Sequence, residues 1–246
     1  MILLKRLLLV VSVFMTAAAS AMAKETLSLY VTPGYEHIPA YKESIDFISG
    51  VVKDAGYEVK LTEAPRKRGP TMVDNGEIDA LPIRSAQDFP EAKNLINTSF
   101  PIAFTTFKVV ALKKNSTFIE SQLKKFQGAI VLNNFALKAE GQKRKLNIIE
   151  INNEYVDLLK MLQAGRVDYV IMPQEFIHSF LTSDKNLEKS LLVSKKSFVD
   201  LPLYFAINKN HKNALPKIEA SFRKALRGNT DSLIYIKHSL NKHPSK

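Results

Sequence analysis

The sequence predicts an α/β protein built from two related lobes, and three observations carry that reading. The first is a repeat. Met72 to Pro82 reads MVDNGEIDALP and Met161 to Pro173 reads MLQAGRVDYVIMP, so Met72, Gly76 and Asp79 have counterparts in Met161, Gly165 and Asp168. Each copy reads as a helix end, a turn and a strand. Glycine has no Cβ to clash, so it can close a helix in the left-handed conformation. The apolar residues after each Asp, Ala80-Leu81 and Tyr169-Val170-Ile171, suit a short buried strand. The second observation is that the repeats sit at corresponding places in two halves of similar length, as related units do. The third is a pair of apolar segments, Phe107 to Leu112 and Leu201 to Asn208, that join the halves. Paired with each other they would form a hinge of two crossing strands.

In chain order, Met1 to Ala23 reads as a signal peptide. Lys5 and Arg6 give the positive start, Leu7 to Met15 the apolar stretch, and Ala21-Met22-Ala23 a small-x-small cleavage site. The apolar stretch is short for a membrane span, which needs roughly 20 residues. The chain has no Cys, so no disulfide, thiolate metal site or cysteine-linked lipid anchor is expected. A free exported protein of this kind points to a periplasm.

Leu27 to Thr32 alternates as a first strand, and Pro33-Gly34 ends it. Ile45, Ile48, Val51, Val52 and Ala55 recur three or four apart, predicting a helix with one apolar stripe. Tyr57 to Thr62 is the next strand, parallel to the first by right-handed crossover. A basic loop, Ala64 to Gly69, opens the helix ending at Gly76, and Asp79 to Ile83 is the third strand. In the second half, Thr117 and Glu120 have capping-box spacing before a short helix to Phe126. Gly128 to Leu132, Leu146 to Ile151 and Val167 to Met172 are its strands, and Tyr155, Leu158, Leu159 and Leu162 form its main helix face. After the returning strand, helices are expected at Leu215 to Leu226 and Asp231 to Leu240. The expected division is 24–110 with 203–246 as a discontinuous lobe 1, and 111–202 as lobe 2.

Length is sufficient for a sizeable core: 246 residues. The formal net charge of +11 drops by two cations, Lys5 and Arg6, on cleavage of the leader. Such a balance favours anionic small molecules or surfaces, while the scatter of the basic residues along the chain reads as a solvated surface rather than a nucleic-acid stripe. The five histidines show no metal-ligand spacing, and Gly-x-Ser-x-Gly, phosphate-loop and dinucleotide signatures do not occur. The expectation is a protein that binds rather than catalyses, without metal or cofactor.

Taken together, Gly76-x-x-Asp79, the Phe100-Pro101 turn, Gly128 to Asn134, Gly165-x-x-Asp168 and the returning strand around Tyr204 resemble family 3 of the bacterial extracellular solute-binding proteins, the amino-acid-binding type. The likeness runs over essentially the whole chain after the leader. It looks closest to a divergent branch in which Arg68 opens the helix before NGEID and Arg84 follows the strand. The resemblance implies two lobes, each a mostly parallel sheet flanked by helices, closing on a small ligand that is handed to an ABC importer or reported to a membrane sensor. The same fold also hosts a periplasmic dehydratase of cyclic carboxylates. In the amino-acid binders a Ser-Ile-Thr-x-x-Arg segment supplies the arginine for the ligand carboxylate, whereas Ser85 to Lys93 holds no arginine here. Their aspartate for the α-amino group is replaced by Met172, with Gln174 and Glu175 beyond it.

Arg84 is the leading candidate for the ligand site, since strand ends are where open α/β sheets bind ligands and a guanidinium grips a carboxylate through two parallel hydrogen bonds. Arg68 either faces a ligand from a helix start or belongs to the Arg66-Lys67-Arg68 surface cluster. Tyr35 either stacks on a ligand or packs. Asn133 and Asn134 either cap a helix or mark amides that hold an anion. Gln174 and Tyr204 are chosen by position near the second strand end and the hinge. Glu175 and Asp88 are the carboxylates a catalytic reading would need. The expected partner is a small carboxylate-bearing molecule bound by a monomer.

Overall fold

The computed structural model describes residues 24–113, 120–132, 134–152 and 154–228. The leader, Asn133 and the helix expected at Asp231 to Leu240 lie outside them. Lobe 1 is built on three strands, β1 (Thr26–Val31), β2 (Glu58–Glu63) and β3 (Ala80–Ser85). β1 pairs in parallel with both others, as the crossover rule required. The helix Pro39–Asp54 connects β1 to β2 and buries Ile45, Ile48, Val51 and Val52, the predicted stripe. A six-residue helix, Gly69–Asp74, leads into β3.

After the short strand β4 (Leu95–Asn97) the chain leaves lobe 1 on β5 (Ala103–Leu112). Lobe 2 repeats the plan with β6 (Gln127–Val131), β7 (Asn147–Ile151) and β8 (Tyr169–Pro173), β6 lying parallel to both of its neighbours. The helices Phe135–Lys143 and Tyr155–Gln163 connect them. A three-residue strand β9 (Leu191–Val193) precedes the return strand β10 (Val199–Asn208), and the helix Leu215–Gly228 follows. The sheet order is β2-β1-β3-β10-β5-β8-β6-β7, with β4 on β10 and β9 on β5. β5 and β10 pair antiparallel, Val199 opposite Phe107 through Leu203 opposite Ala103. Among the described residues the two crossing strands are therefore the part of the ladder that joins the lobes, as their apolar composition suggested.

The repeat has a structural cause. Gly76 and Gly165 both adopt positive φ, 80° and 68°, and turn each chain back toward the sheet. The Asp three residues on then ties its strand to the adjacent parallel strand. Asp79 Oδ2 accepts from Ser28 N and Ser28 Oγ, both at 2.7 Å, and Asp168 Oδ2 accepts from Gln127 N at 2.8 Å. The carboxylate thus takes the amide of the third residue of β1 in lobe 1 and of the first residue of β6 in lobe 2.

Some elements differ from the sequence reading. The helix expected from Thr117 is a kinked 3-10 segment, Glu120–Lys125, with Gln122 at φ −114°. Beyond β8 the chain enters two helices that the sequence reading did not contain, Gln174–Ser183 and Lys185–Ser190. The first of them packs Phe176, Ile177, Phe180 and Leu181, at helical spacing, against the core, a stripe the sequence reading does not include. β4 and β9, three residues each, are too short to show alternation.

Candidate functional site

Between the lobes, the carboxyl ends of β1, β3, β6 and β8 converge over the two crossing strands. They enclose a cavity of about 150 Å³. Thr105, Phe107, Leu201 and Leu203 of the crossing strands form its floor. The lobe 1 wall carries the charges, Arg66, Arg84 and Asp88, together with Tyr30, Tyr41, Ser85 and Phe89. The lobe 2 wall is mainly apolar: Val131, Leu132, Tyr155, Pro173 and Phe176, with Asn134 at its rim.

Arg84, the penultimate residue of β3, is 7% exposed. Its Nε donates to Ser85 O at 3.1 Å, and Nη2 donates to the main-chain oxygen of Asp88. These bonds fold the loop around the guanidinium, which also lies 5.9 Å from the Phe89 ring centre. Among the described residues no carboxylate side chain forms an ion pair with it. Burial lowers its pKa, offset in part by Asp88, Glu91 and Asp74, yet an arginine stays protonated in proteins. The wall therefore holds a buried positive charge on which Asp88, Glu91 and Asp74 act without forming a contact ion pair among the described residues.

Asp88 lies in the same loop. Its Oδ2 accepts from Ser85 N at 3.0 Å. Its other oxygen, Oδ1, is buried with no partner of hydrogen-bonding geometry, as is Ser85 Oγ. Burial raises the Asp88 pKa; the Ser85 amide and hydroxyl and the two guanidiniums offset only part of that. Phe89, next in the chain, has φ 58°, a left-handed conformation that costs a residue with a Cβ. It sets its ring edge-on to Phe135 of lobe 2, centroids 6.5 Å apart.

Arg66 spans the cleft. Its Nη2 donates to Glu154 Oε2 at 2.8 Å and its Nε to Glu154 Oε1 at 3.3 Å, while its guanidinium sits 5.7 Å from the Tyr155 ring centre. Burial alone would lower the Arg66 pKa, and the bonds to Glu154 outweigh it and hold the group above its ordinary value. The pair joins the loop after β2 to the start of the helix Tyr155–Gln163, so it forms only with the lobes together. Burial pushes the Tyr155 phenol up to about 12.

Tyr30 is 7% exposed, and its hydroxyl is buried without a partner. Its pose depends on Gly69: a Cβ there would lie 2.0 Å from the Tyr30 ring. Glu175, 2% exposed, accepts from Thr105 Oγ1 at 3.1 Å beneath the floor. Among the described residues no cluster of three potential metal ligands occurs, and no helix is long and apolar enough to cross a membrane.

No protein-family model matches the sequence, and no curated protein matches it. Solved structures do match in shape. An ancestral arginine-binding protein bound to arginine superposes with a TM-score of 0.68 at 15% identity, over 83% of this chain and 94% of its own. The GluR0 ligand-binding core in complex with L-glutamate gives 0.68 at 18% identity, over 85% and 94%. The chain has the two-lobed fold of the family 3 solute-binding proteins. A third structure with this solute-binding fold is an ancestral amino-acid-binding protein described as a precursor of cyclohexadienyl dehydratase, with a TM-score of 0.64 at 16% identity over 82% and 90%.

Within this solute-binding fold, two of the sequence's ligand-site candidates reach the cavity, as does Asp88, one of the two carboxylates a catalytic reading would need. Arg84 and Asn134 line it, and Asn134 also caps its helix, accepting from Leu137 N at 3.1 Å. Four do not line it. Tyr35 is buried with Val31 and Ile45 and stands edge-on behind Tyr41 at 6.1 Å, so Tyr41 is the ring at the cavity. Arg68 is exposed at the start of the Gly69–Asp74 helix. Gln174 opens its helix between two residues that do line the cavity, Pro173 and Phe176. Tyr204 pairs with Arg84 across the ladder, but the strand alternates and presents Leu201 and Leu203 instead. Asn133 is outside the described residues.

Sequence reasoning passed over Arg66, Tyr30, Tyr41, Ser85, Phe89 and Tyr155. Arg66 was visible only as one cation of three, and spacing within a loop does not say which of them turns inward. Tyr30 could have been noticed as an aromatic on a strand followed at a distance by Gly69, a pairing that becomes meaningful only once β1 and the helix are adjacent.

Proposed function

We propose that this chain is a periplasmic solute-binding protein that closes its lobes around a small anionic or zwitterionic ligand and delivers it to an ABC-type importer. The observation that carries this reading is Arg84, a buried guanidinium on the cleft wall whose acceptors among the described residues are main-chain carbonyls. A charge removed from water without an ionic partner is costly, and a ligand carboxylate would supply that partner. The surrounding aromatic and aliphatic residues suit the apolar body of such a ligand, in keeping with the usual make-up of small-molecule sites. The relatives in fold that bind arginine or glutamate support the same class of ligand. Binding would start on lobe 1, with hinge rotation on β5 and β10 adding lobe 2 contacts. A sensory receptor would bind in the same way and differ only in the partner it meets.

Thermal unfolding with a panel of amino acids, dicarboxylates and aromatic acids tests the proposal. A ligand at about one hundred times its Kd stabilises by roughly 2.7 kcal/mol, and Arg84→Ala is expected to abolish that shift. A shift that survives the substitution removes Arg84 as the anchor. Chemical conversion of a cyclic carboxylate during the same incubation would place the protein among the enzymes of this fold instead.

A further inference from the structure

The strands of each lobe start from turns at the end of the sheet away from the cleft, and in lobe 2 that end is basic. The parallel register sets the turns entering β6, β7 and β8 side by side, with Gln127 opposite Asn147 and Gly128 opposite Tyr169. Neighbouring strands lie about 4.8 Å apart, so the three turns fit across roughly 10 Å. They carry Lys124 and Lys125 before β6, Lys143, Arg144 and Lys145 before β7, and Arg166 before β8, all exposed. Two acids stand among them. Glu140 takes Arg144 and Lys143, and Asp168 takes the Gln127 amide. Lys124, Lys125, Lys145 and Arg166 form no ion pair with a described residue. Cations that look scattered along the sequence are gathered by the fold.

The matching end of lobe 1 has the opposite balance. Lys24 and Glu25 precede β1, Lys53 and Asp54 precede β2, and Glu77 and Asp79 precede β3, so acids outnumber cations on the same plan. The turns themselves add a second observation. Gly56, Gly76, Gly165 and Lys145 each end a helix at positive φ, 98°, 80°, 68° and 55°, and each amide donates to the carbonyl three residues before it. In three of these turns the residue is the glycine that the conformation favours. The fourth is a lysine, whose Cβ makes the left-handed conformation costly, and it stands inside the basic cluster. A lysine gains nothing for the turn; what it supplies there is its charge.

We propose that this basic end of lobe 2 rests on the surface of an anionic phospholipid bilayer. The exposed residues between the cations, Ala164, Gly165 and Asn147, offer no aromatic or branched anchor of the kind on which protein interfaces depend. Long cationic side chains on separate turns suit headgroups that diffuse to meet them, and each cation near such a surface adds to the attraction. Without an apolar anchor in these turns the contact is reversible, and salt weakens it. It is independent of the reading of the cleft, because a bilayer at this end leaves the cavity and the crossing strands clear.

Co-sedimentation of the full chain with vesicles tests this, comparing phosphatidylcholine alone with an equimolar mixture of phosphatidylcholine and phosphatidylglycerol. The wild type is expected to bind the mixed vesicles roughly tenfold or more tightly. The triple variant Lys124→Gln, Lys125→Gln, Lys145→Gln should lower that affinity roughly ten- to a hundredfold and flatten its dependence on salt. A control triple, Lys53→Gln, Lys217→Gln, Lys224→Gln, removes the same charge from exposed positions on lobe 1 and should change the affinity less than about threefold. All these proteins share one N-terminus, so residues 1–23 contribute equally to each. Lys145→Gly relieves the turn, so it should raise the unfolding midpoint while weakening vesicle binding several-fold; it is a folded variant that tests the same charge. Equal binding to both kinds of vesicle, equal losses in the two triples, or a Lys145→Gly that binds as the wild type does overturns the proposal. So does a double-stranded oligonucleotide bound as tightly as the mixed vesicles and lost in the same triple, which would make this end a general polyanion surface.

Discussion

Lobe 1 and lobe 2 share a plan and divide the chemistry. In both, a glycine with positive φ and an Asp three residues later fasten a helix end to a parallel strand. Past that strand they diverge. Lobe 1 runs on from β3 into a loop that buries Arg84 and holds Asp88 at the cavity. Lobe 2 turns at Pro173 directly into the helix Gln174–Ser183, which brings Phe176 to the cavity and tucks Glu175 under the floor. The repeated part is scaffold, and the unrepeated part after it differentiates the two walls. A duplicated architecture can thus carry charge on one side and apolar surface on the other, since the strand-end loop is free to change while the strand is not.

A second parallel gives the largest effect with which to test that division. Each lobe has a glycine pressed against a tyrosine ring. A Cβ on Gly69 would lie 2.0 Å from the Tyr30 ring, and one on Gly128 would lie 2.3 Å from the Tyr169 ring. Alanine at either should destabilise the protein by about 2–3 kcal/mol, as overpacking does, read from urea unfolding. Only Gly69→Ala should also weaken ligand binding, because Tyr30 borders the cavity and Tyr169 does not. Equal effects on binding would show that the walls are not independent.

The aspartates should separate by a smaller margin. Asp79 accepts two bonds from Ser28, and its Oδ1 lies 2.9 Å from His211 Nε2; for Asp168 the bond from Gln127 N is its counterpart. Asp79→Ala is expected to cost about 2–3 kcal/mol and Asp168→Ala about 1–2 kcal/mol. Matching losses in chemical denaturation would mean that the histidine and serine contacts add nothing.

The third expectation is one of direction. Burial raises the Asp88 pKa in the folded state, so its ionised form weakens the fold at neutral pH, and that cost is relieved as pH falls through the folded-state pKa. Asp88→Asn should therefore raise the unfolding midpoint of the ligand-free protein near neutrality, with the gain shrinking as the solution is acidified. Lobe 2 carries Glu175 just past the end of β8, but that carboxylate lies outside the cavity lining and takes the Thr105 hydroxyl. A midpoint lowered at neutral pH would contradict this account of the loop.

How much of this was legible in the sequence follows from the same division. The repeat, the apolar stripe from Ile45 to Val52 and the two crossing strands are periodic or duplicated, so pattern alone located them. Arg84 was legible because position at a strand end is itself a functional signal. Arg66 and Asp88 were visible as charges but not as neighbours. Their roles depend on how two loops fold back, on a left-handed Phe89 that no residue preference announces, and on a partner, Glu154, across the cleft. Tyr35 stands out in the sequence because it directly follows the first strand, whereas the helix is what turns Tyr41 to the cavity.

The order of strands also bears on how the protein assembles in time. β6, β7 and β8 follow one another closely, so lobe 2 can form its ladder from a contiguous stretch with modest loop-closure entropy. Lobe 1 cannot. Its core joins Leu27, Leu29 and Val52 to Phe205, Ile207, Ile218 and Phe222, and β10 forms the neighbour that β3 lacks until then. The half that carries the charged wall is consequently the half that waits for the last described strand and helix, and the nascent chain holds its first strands open until the return segment arrives.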